Sequence, residues 1–93
     1  MSTTKPSFDV VWGRVKAHEG QEFRTKMDLP FTYTVSADAF YPSRTKYRIS
    51  KTDFLKAFEH VPFDGPGVIN DKVRGPAYVW AVLHDRRIRR QDW

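Results

Sequence analysis

A run of cations near the middle of the chain is the clearest candidate for chemistry in the sequence. From residue 44 to 49 basic side chains alternate with apolar or hydroxyl-bearing ones, and no acidic residue interrupts the run up to residue 51. Its four cations are Arg44, Lys46, Arg48 and Lys51. Alternate side chains on one strand face lie about 6.6–6.8 Å apart, so such a strand could contact successive phosphates of a nucleic acid. A solvated edge strand whose cations prevent pairing with another chain would show the same pattern.

A second basic cluster follows the last apolar segment and holds four arginines within five residues. These are Arg86, Arg87, Arg89 and Arg90, with Ile88 between them. Guanidinium groups bind phosphate oxygens bidentately, and cations also stabilise the C-terminal end of a helix. The two roles are compatible. If both basic clusters share one face, about six to eight phosphate contacts are possible, each adding about −0.9 to the slope of log K against log salt on duplex DNA.

The C-terminal half also allows a helix-turn-helix arrangement. Predicted helices over 50–61 and 76–85 flank a turn, and the preceding hairpin would act as a wing. The connection is much longer than the usual turn of about 3–4 residues, and the second helix offers few polar side chains to base edges. Any groove-reading residues would therefore lie at its start, and they are Lys72, Arg74 and Tyr78.

Exposed aromatic side chains would add a further way to bind single-stranded nucleic acid. The candidates for stacking on bases are Tyr41, Tyr47 and Trp93. The chain has seven Phe, four Tyr and three Trp, and in so short a chain most of these rings are needed for the core. Stacking is therefore the less common role for any one of them.

The sequence contains no convincing catalytic constellation. His18, His60 and His84 are far apart and do not have the spacing of metal ligands. The glycines form no phosphate-binding loop motif. There is no cysteine, which excludes disulfides, thiolate metal sites and cysteine catalysis and fits a reducing compartment. We therefore expect a non-enzymatic protein that needs neither a metal nor a cofactor.

A strongly apolar helix is predicted from Pro76 to Asp85 at the centre of the core. Proline suits the first helical position, and residues 77–83 are apolar or aromatic throughout, so other parts of the chain must cover the helix on most sides. A strand is the competing interpretation, because Tyr, Val and Trp favour strands. Pro76 and the basic end of the segment favour the helix.

The remaining periodicities predict the elements that surround this helix. They are a helix over 7–20, strands over 22–26, 31–35 and 44–49, a connection over 36–43, and a helix over 50–61 that begins at the N-cap Ser50. Together they indicate an α+β fold, in which a small antiparallel sheet of two to three strands packs against about three helices. A winged-helix-like arrangement is one version of it. We expect residues 1–6 to form a flexible tail and residues 7–93 to form a single domain.

The overall charge completes the functional hypothesis. A formal net charge of +5 on 93 residues indicates polyanionic partners, nucleic acid first and acidic proteins second, although such a charge also serves solubility alone. The sequence has no membrane-spanning run and no signal-peptide segment, so we expect a soluble cytoplasmic protein. The main hypothesis is nucleic-acid binding, to DNA more than RNA, through the cationic strand and the arginine-rich end.

The alternative hypothesis is a homo-oligomeric or partner-binding module without a nucleic-acid role. In that case the apolar C-terminal helix, with Trp80 and Trp93, would pair with a second copy across a two-fold axis.

Overall fold

The computed structural model describes residues 5–93, which form four α-helices, one 3₁₀ helix and five short strands. In chain order these are α1 (Phe8–Ala17), β1 (Phe23–Arg24), β2 (Pro30–Phe31), β3 (Tyr33–Ser36), β4 (Ala39–Pro42), β5 (Ile49–Ser50), α2 (Lys51–Phe58), the 3₁₀ helix (Pro66–Ile69), α3 (Pro76–His84) and α4 (Arg86–Arg89). Strands β1 and β2 form one antiparallel sheet, and β3, β4 and β5 form a second. The predicted α+β class, with a small antiparallel sheet packed against helices, is confirmed.

Helix α3 occupies the centre of the core, as predicted. Pro76 is its first helical residue, where a missing N–H costs nothing. Val79, Val82 and Leu83 have no exposed surface, and every other residue of α3 is buried or half-buried. The helix ends at His84 rather than at Asp85, which instead caps α4. No helix in the described part of the chain combines the length and hydropathy that crossing a membrane requires.

The start of α2 shows how local chemistry positions a helix. The Ser50 hydroxyl accepts the backbone N–H of Asp53 at 3.1 Å, so the predicted N-cap is confirmed. The Asp53 carboxylate does not complete a capping box, because it accepts the backbone N–H of Arg74 at 3.3 Å. That bond fastens the segment before α3 to α2. The helix ends at Phe58, three residues before the predicted end, and its Leu55 is 40% exposed.

The first two predicted strands form a hairpin, as expected, with Phe23 opposite Phe31. The strand predicted over 31–35 is interrupted at Thr32 and divides between the two sheets. Its side-chain alternation survives the break, since Phe31 and Tyr33 are buried while both threonines are exposed. The Tyr33 hydroxyl donates to the Val15 carbonyl at 2.6 Å and so joins this strand to α1.

The strand predicted over 44–49 is wrong, and the connection predicted over 36–43 contains a strand. Residues 43–48 form turns and bends, and only Ile49 of the predicted strand is extended and paired. The middle of the three-stranded sheet is β4, where Phe40 pairs with both Val35 and Ile49. Phe40 is fully buried, with ring centroids 4.5 Å from Tyr33 and 4.8 Å from Phe54. Burying such a side chain stabilises the fold by about 1.5–3 kcal/mol, whereas the basic segment offers the core only Ile49.

The predicted N-terminal tail lies mostly outside the described residues. Within them, Lys5 is in contact with the fold: its ammonium group donates to the Phe58 carbonyl at 3.0 Å and lies 4.6 Å from the centroid of the Phe58 ring. Residue 5 is therefore anchored to the end of α2.

Two glycines give opposite expectations for stability. Gly75 precedes α3 with φ 61°, and a Cβ there would lie 2.5 Å from Ile49 Cδ1 and 3.4 Å from the Tyr47 ring. Because strain and overpacking add, we expect Gly75→Ala to lower the free energy of unfolding by about 1–3 kcal/mol. Gly13 lies inside α1, and a Cβ there would have no neighbouring atom within 4 Å, so Gly13→Ala should raise that free energy by about 0.5–1 kcal/mol. Urea unfolding measures both, and equal changes at the two positions would contradict these expectations.

Candidate nucleic-acid interface

The loop between β4 and β5 holds three of the predicted binding cations. Arg44, Lys46 and Arg48 are all exposed, and none of them forms an ion pair with an acid among residues 5–93. The hydroxyl of Thr45 donates to the Tyr47 carbonyl at 3.0 Å, which closes the loop on itself. These cations therefore lie on a compact loop instead of at regular intervals along a strand face.

The segment before α3 lies against this loop. The guanidinium carbon of Arg74 is 5.6 Å from the centroid of the Tyr47 ring, which is within the range of a cation–π contact. Lys72, two residues earlier, is exposed like Arg74. Two basic segments that are distant in sequence thus meet at one aromatic ring. We call this surface the Tyr47 patch, and it consists of Arg44, Lys46, Tyr47, Arg48, Lys72 and Arg74.

Two other predicted binding residues form their contacts outside this patch. Tyr78 is half-buried and packs edge-on against Phe31, with ring centroids 5.0 Å apart. The Lys51 ammonium group lies 3.7 Å from the Asp9 carboxylate and faces the first turn of α1. Tyr78 therefore belongs to the edge of the core, and the charge of Lys51 is partly compensated.

Two of the four C-terminal arginines are engaged by the fold. Arg87 donates through Nε to Asp85 at 2.9 Å and through Nη2 to the Glu22 carbonyl at 2.8 Å, and its guanidinium carbon lies 3.8 Å from the centroid of the Phe23 ring. Arg89 donates through Nε to the Trp93 carbonyl at 2.8 Å. Arg86 and Arg90 are exposed and remain the accessible members of the cluster.

The pKa of the Asp85 carboxylate, which binds Arg87, is lowered. Burial alone would raise the pKa of Asp85, but hydrogen bonds from the Arg87 side chain and backbone N–H hold that pKa below its usual value. In return, the hydrogen bond to Asp85 raises the pKa of Arg87. The pair is therefore ionised throughout the physiological range and links α4 to the hairpin of β1 and β2.

The hairpin of β1 and β2 connects the Tyr47 patch with Arg86. The Arg44 side chain approaches the Pro30 carbonyl at 3.4 Å, and Pro30 lies opposite Arg24 in the two-stranded sheet. Arg24 and Arg86 line the same cleft. The charge of Arg24 is partly balanced by two exposed carboxylates, which lie 3.3 and 3.2 Å away. The exposed Arg90 instead donates to a backbone carbonyl of its own helix, at 3.2 Å.

That cleft, of about 450 Å³, lies between the turn after β1 and the C-terminal half of α3. Its lining residues are Arg24, Thr25, Lys26, Trp80, Ala81, His84, Asp85 and Arg86. A smaller depression of about 270 Å³ lies between the starts of α1 and α2, and Lys51 is the cation in its lining. The larger cleft has no signature in the sequence, because Arg24 and Lys26 are flanked by the acids Glu22 and Asp28 and Trp80 fits the core.

His84 is held between two backbone groups beside this cleft. Its Nδ1 lies 3.0 Å from the Trp80 carbonyl, and its Nε2 accepts the backbone N–H of Phe63 at 3.2 Å. Since Nε2 accepts, the ring is neutral with its proton on Nδ1. Burial lowers the pKa of His84, and the bond to the Trp80 carbonyl opposes that shift without cancelling it.

The surface that the alternative hypothesis assigns to self-association lies inside the chain. Val79, Val82 and Leu83 have no exposed surface, and the indole N–H of Trp80 donates to the Phe63 carbonyl at 3.1 Å. The same burial leaves α3 without a fully exposed side chain to insert into a DNA groove. Pairing through the buried side of α3 would require the core to open.

Comparison of the chain with protein-family models, with curated proteins and with solved structures found no significant match. Function is therefore inferred from the geometry of the chain's own residues.

We expect stability to depend on the protonation of His84. Because its pKa is lower in the folded than in the unfolded state, the unfolded chain binds more protons below about pH 6.5. The contribution of neutral His84 to the free energy of unfolding is complete above that pH and is lost as the pH falls toward the pKa of His84 in the folded state. Urea unfolding from pH 5 to 7.5 measures it. The slope of the free energy of unfolding against pH should persist in His60→Gln, because His60 is exposed, and flatten in His84→Phe. An unchanged slope in His84→Phe would contradict the assignment.

The arginines of the C-terminal cluster should differ in their effect on stability. Arg87→Ala removes charge-assisted hydrogen bonds to Asp85 and the contact with Phe23, so we expect a loss of about 1.5–3 kcal/mol. Arg90→Ala removes the same charge from an exposed position, and its effect should stay within about 0.5 kcal/mol. Thermal or urea unfolding compares them. Equal losses would mean that Arg87 is not a structural residue.

Proposed function

We propose that this protein binds nucleic acid without catalysing a reaction, and that the Tyr47 patch is its primary contact surface. The observation that supports this most directly is the approach of Arg74 to the Tyr47 ring, which brings two basic segments together. The five cations on these segments are exposed, and none forms an ion pair with an acid among the described residues. Arg86 extends the surface along the hairpin of β1 and β2. DNA is the expected partner ahead of RNA.

The nearby acids, Asp53 and Asp71, offset only part of the charge of the five cations. The Asp53 carboxylate accepts the backbone N–H of Arg74, so it is used to position the segment. Asp71 is exposed beside Lys72, where solvent screens its charge. A surface of this kind has long-range attraction for phosphates, and association with it should weaken steeply as salt is added.

The patch offers two kinds of contact to a nucleic acid. Arginine and lysine side chains bind phosphate oxygens and position the strand without reading its sequence. The Tyr47 ring is 40% exposed and would stack on an unpaired base, an interaction worth about 1–3 kcal/mol and tolerant of sequence. With no exposed residue on α3 for a groove, this arrangement favours backbone and stacking contacts over base-specific readout.

A charge-matched pair of double variants tests the proposal. Arg44→Ala with Arg48→Ala removes two cations from the patch, so the slope of log K against log salt on duplex DNA should become shallower by about 1.8. Fluorescence anisotropy between about 50 and 200 mM salt measures it for duplex DNA, single-stranded DNA and RNA. Stability should change by less than about 0.5 kcal/mol, because both side chains are exposed.

The control removes the same charge elsewhere. Lys16 and Lys56 are exposed on α1 and α2, outside the patch, and Lys16→Ala with Lys56→Ala should leave the slope nearly unchanged. Equal loss in the two double variants would show that net charge alone is responsible. Absence of binding to every probe at the lowest salt concentration would refute the proposed function.

A further inference from the structure

The cleft beside Trp80 has the size of a small-ligand site and a lining rich in polar and charged residues. Its volume of about 450 Å³ falls within the range of about 300–1,000 Å³ that ligand pockets occupy. One wall is the turn after β1, and the other is the C-terminal half of α3, with Arg86 at its end. The two walls come from segments that are distant in the sequence, so the cleft exists only in the folded chain.

The contacts that the Lys26 ammonium group makes in this cleft are with neutral groups. The ammonium group donates to the Asp64 carbonyl at 2.8 Å and lies 5.9 Å from the centroid of the Trp80 ring. Gly65 makes room for it, since a Cβ on residue 65 would lie 2.7 Å from the Lys26 nitrogen. The ammonium group therefore has hydrogen-bond and ring contacts but no ion pair with a carboxylate among residues 5–93.

The other charges around the cleft leave it positive. The three cations among its lining residues are Arg24, Lys26 and Arg86, and the single acid is Asp85, which Arg87 already engages. Arg24 forms ion pairs with two exposed carboxylates, and exposed pairs of this kind are weak. Lys26 and Arg86 form no ion pair among residues 5–93. A phosphate monoester, with a charge of about −1.5 to −2, matches this pair.

The aromatic wall is rigid and suits a flat ligand. The Trp80 ring is stacked on His84 at 5.4 Å between centroids and 20° between planes, and its indole N–H is fixed by the Phe63 carbonyl. Trp80 remains half-buried, and the adjacent Ala81 projects only a methyl group. A preorganised indole of this kind binds a planar aromatic group with little loss of side-chain entropy.

We propose that the cleft binds a nucleoside phosphate, with the phosphate between Lys26 and Arg86 and the base against Trp80. This site is separate from the Tyr47 patch and does not depend on it. The same chemistry is present in a free mononucleotide and in the 5′-phosphorylated end of a strand.

Nuclear magnetic resonance of the three indole N–H groups tests the site. Adenosine 5′-monophosphate should shift the Trp80 resonance and leave those of Trp12, which is 3% exposed, and Trp93 nearly unmoved. Its affinity should exceed that of adenosine, and of inorganic phosphate, by at least about tenfold, because each of these lacks one of the two contacts. No shift at Trp80, or equal binding of inorganic phosphate, would overturn the proposal.

Substitutions in the cleft separate positioning from charge. Lys26→Ala and Arg86→Ala should each weaken binding of adenosine 5′-monophosphate about five- to tenfold. Gly65→Ala keeps every charge but displaces the Lys26 ammonium group, so it should weaken binding by a similar factor. Lys56→Ala, a matched loss of charge on α2, should have no effect. Equal weakening by Lys56→Ala, or full affinity in Lys26→Ala, would refute the assigned contacts.

Two further comparisons identify the source of the phosphate and isolate the site. A 5′-phosphorylated oligodeoxyadenylate that binds this cleft more tightly than its 5′-hydroxyl form and than the mononucleotide would support a strand end as the ligand. Tighter binding of the mononucleotide would support a free nucleotide. The Arg44→Ala with Arg48→Ala variant should retain mononucleotide binding, and loss of that binding would overturn the proposal of a separate site.

Discussion

Burial of helix α3 is the interaction on which the rest of the structure depends, because residues 77–83 give the helix no face that suits water. Helices α2 and α4, strand β1 and the 3₁₀ helix all contact it. Little of a helix enclosed in this way is open to a polar ligand. Polar chemistry is therefore found where its cover is incomplete: the Tyr47 patch adjoins its start, and the half-buried Trp80 and His84 line the cleft along its C-terminal half.

The elements that the sequence predicted correctly have signals within a few residues of one another. Pro76 fixes the start of α3, Ser50 caps α2, and the apolar spacing of α1 identifies its buried face. The strand predicted over 44–49 failed because alternation is a local pattern while strand pairing is not. Residues 39–42 bring Phe40 to the core and pair with a strand on each side. They therefore take the place in the sheet that was predicted for residues 44–49, and alternation alone does not show which of the two segments pairs.

The candidate site was predictable as a set of residues but not as an arrangement. The sequence identifies the cations, yet it does not show that Arg74 approaches Tyr47 or that Arg87 is engaged by Asp85 and Phe23. The sequence did not predict a site formed by Lys26 and Trp80, because a lysine in a turn and a tryptophan in an apolar helix have ordinary structural roles. Only their meeting across the fold distinguishes them.

The difference between cations that the fold uses and cations that it leaves exposed is the physical basis for assigning function here. Arg14, Arg87 and Lys51 each lie within 4 Å of a carboxylate, so their charges contribute to the structure. The cations of the Tyr47 patch and Arg86 have no such partner among residues 5–93. The fold nevertheless positions them, through the contact between Arg74 and Tyr47 and through the hairpin of β1 and β2. Exposed like charges held close together repel one another. A bound polyanion would relieve that repulsion, and this gain is available to nucleic acid at the patch and to a phosphate group in the cleft.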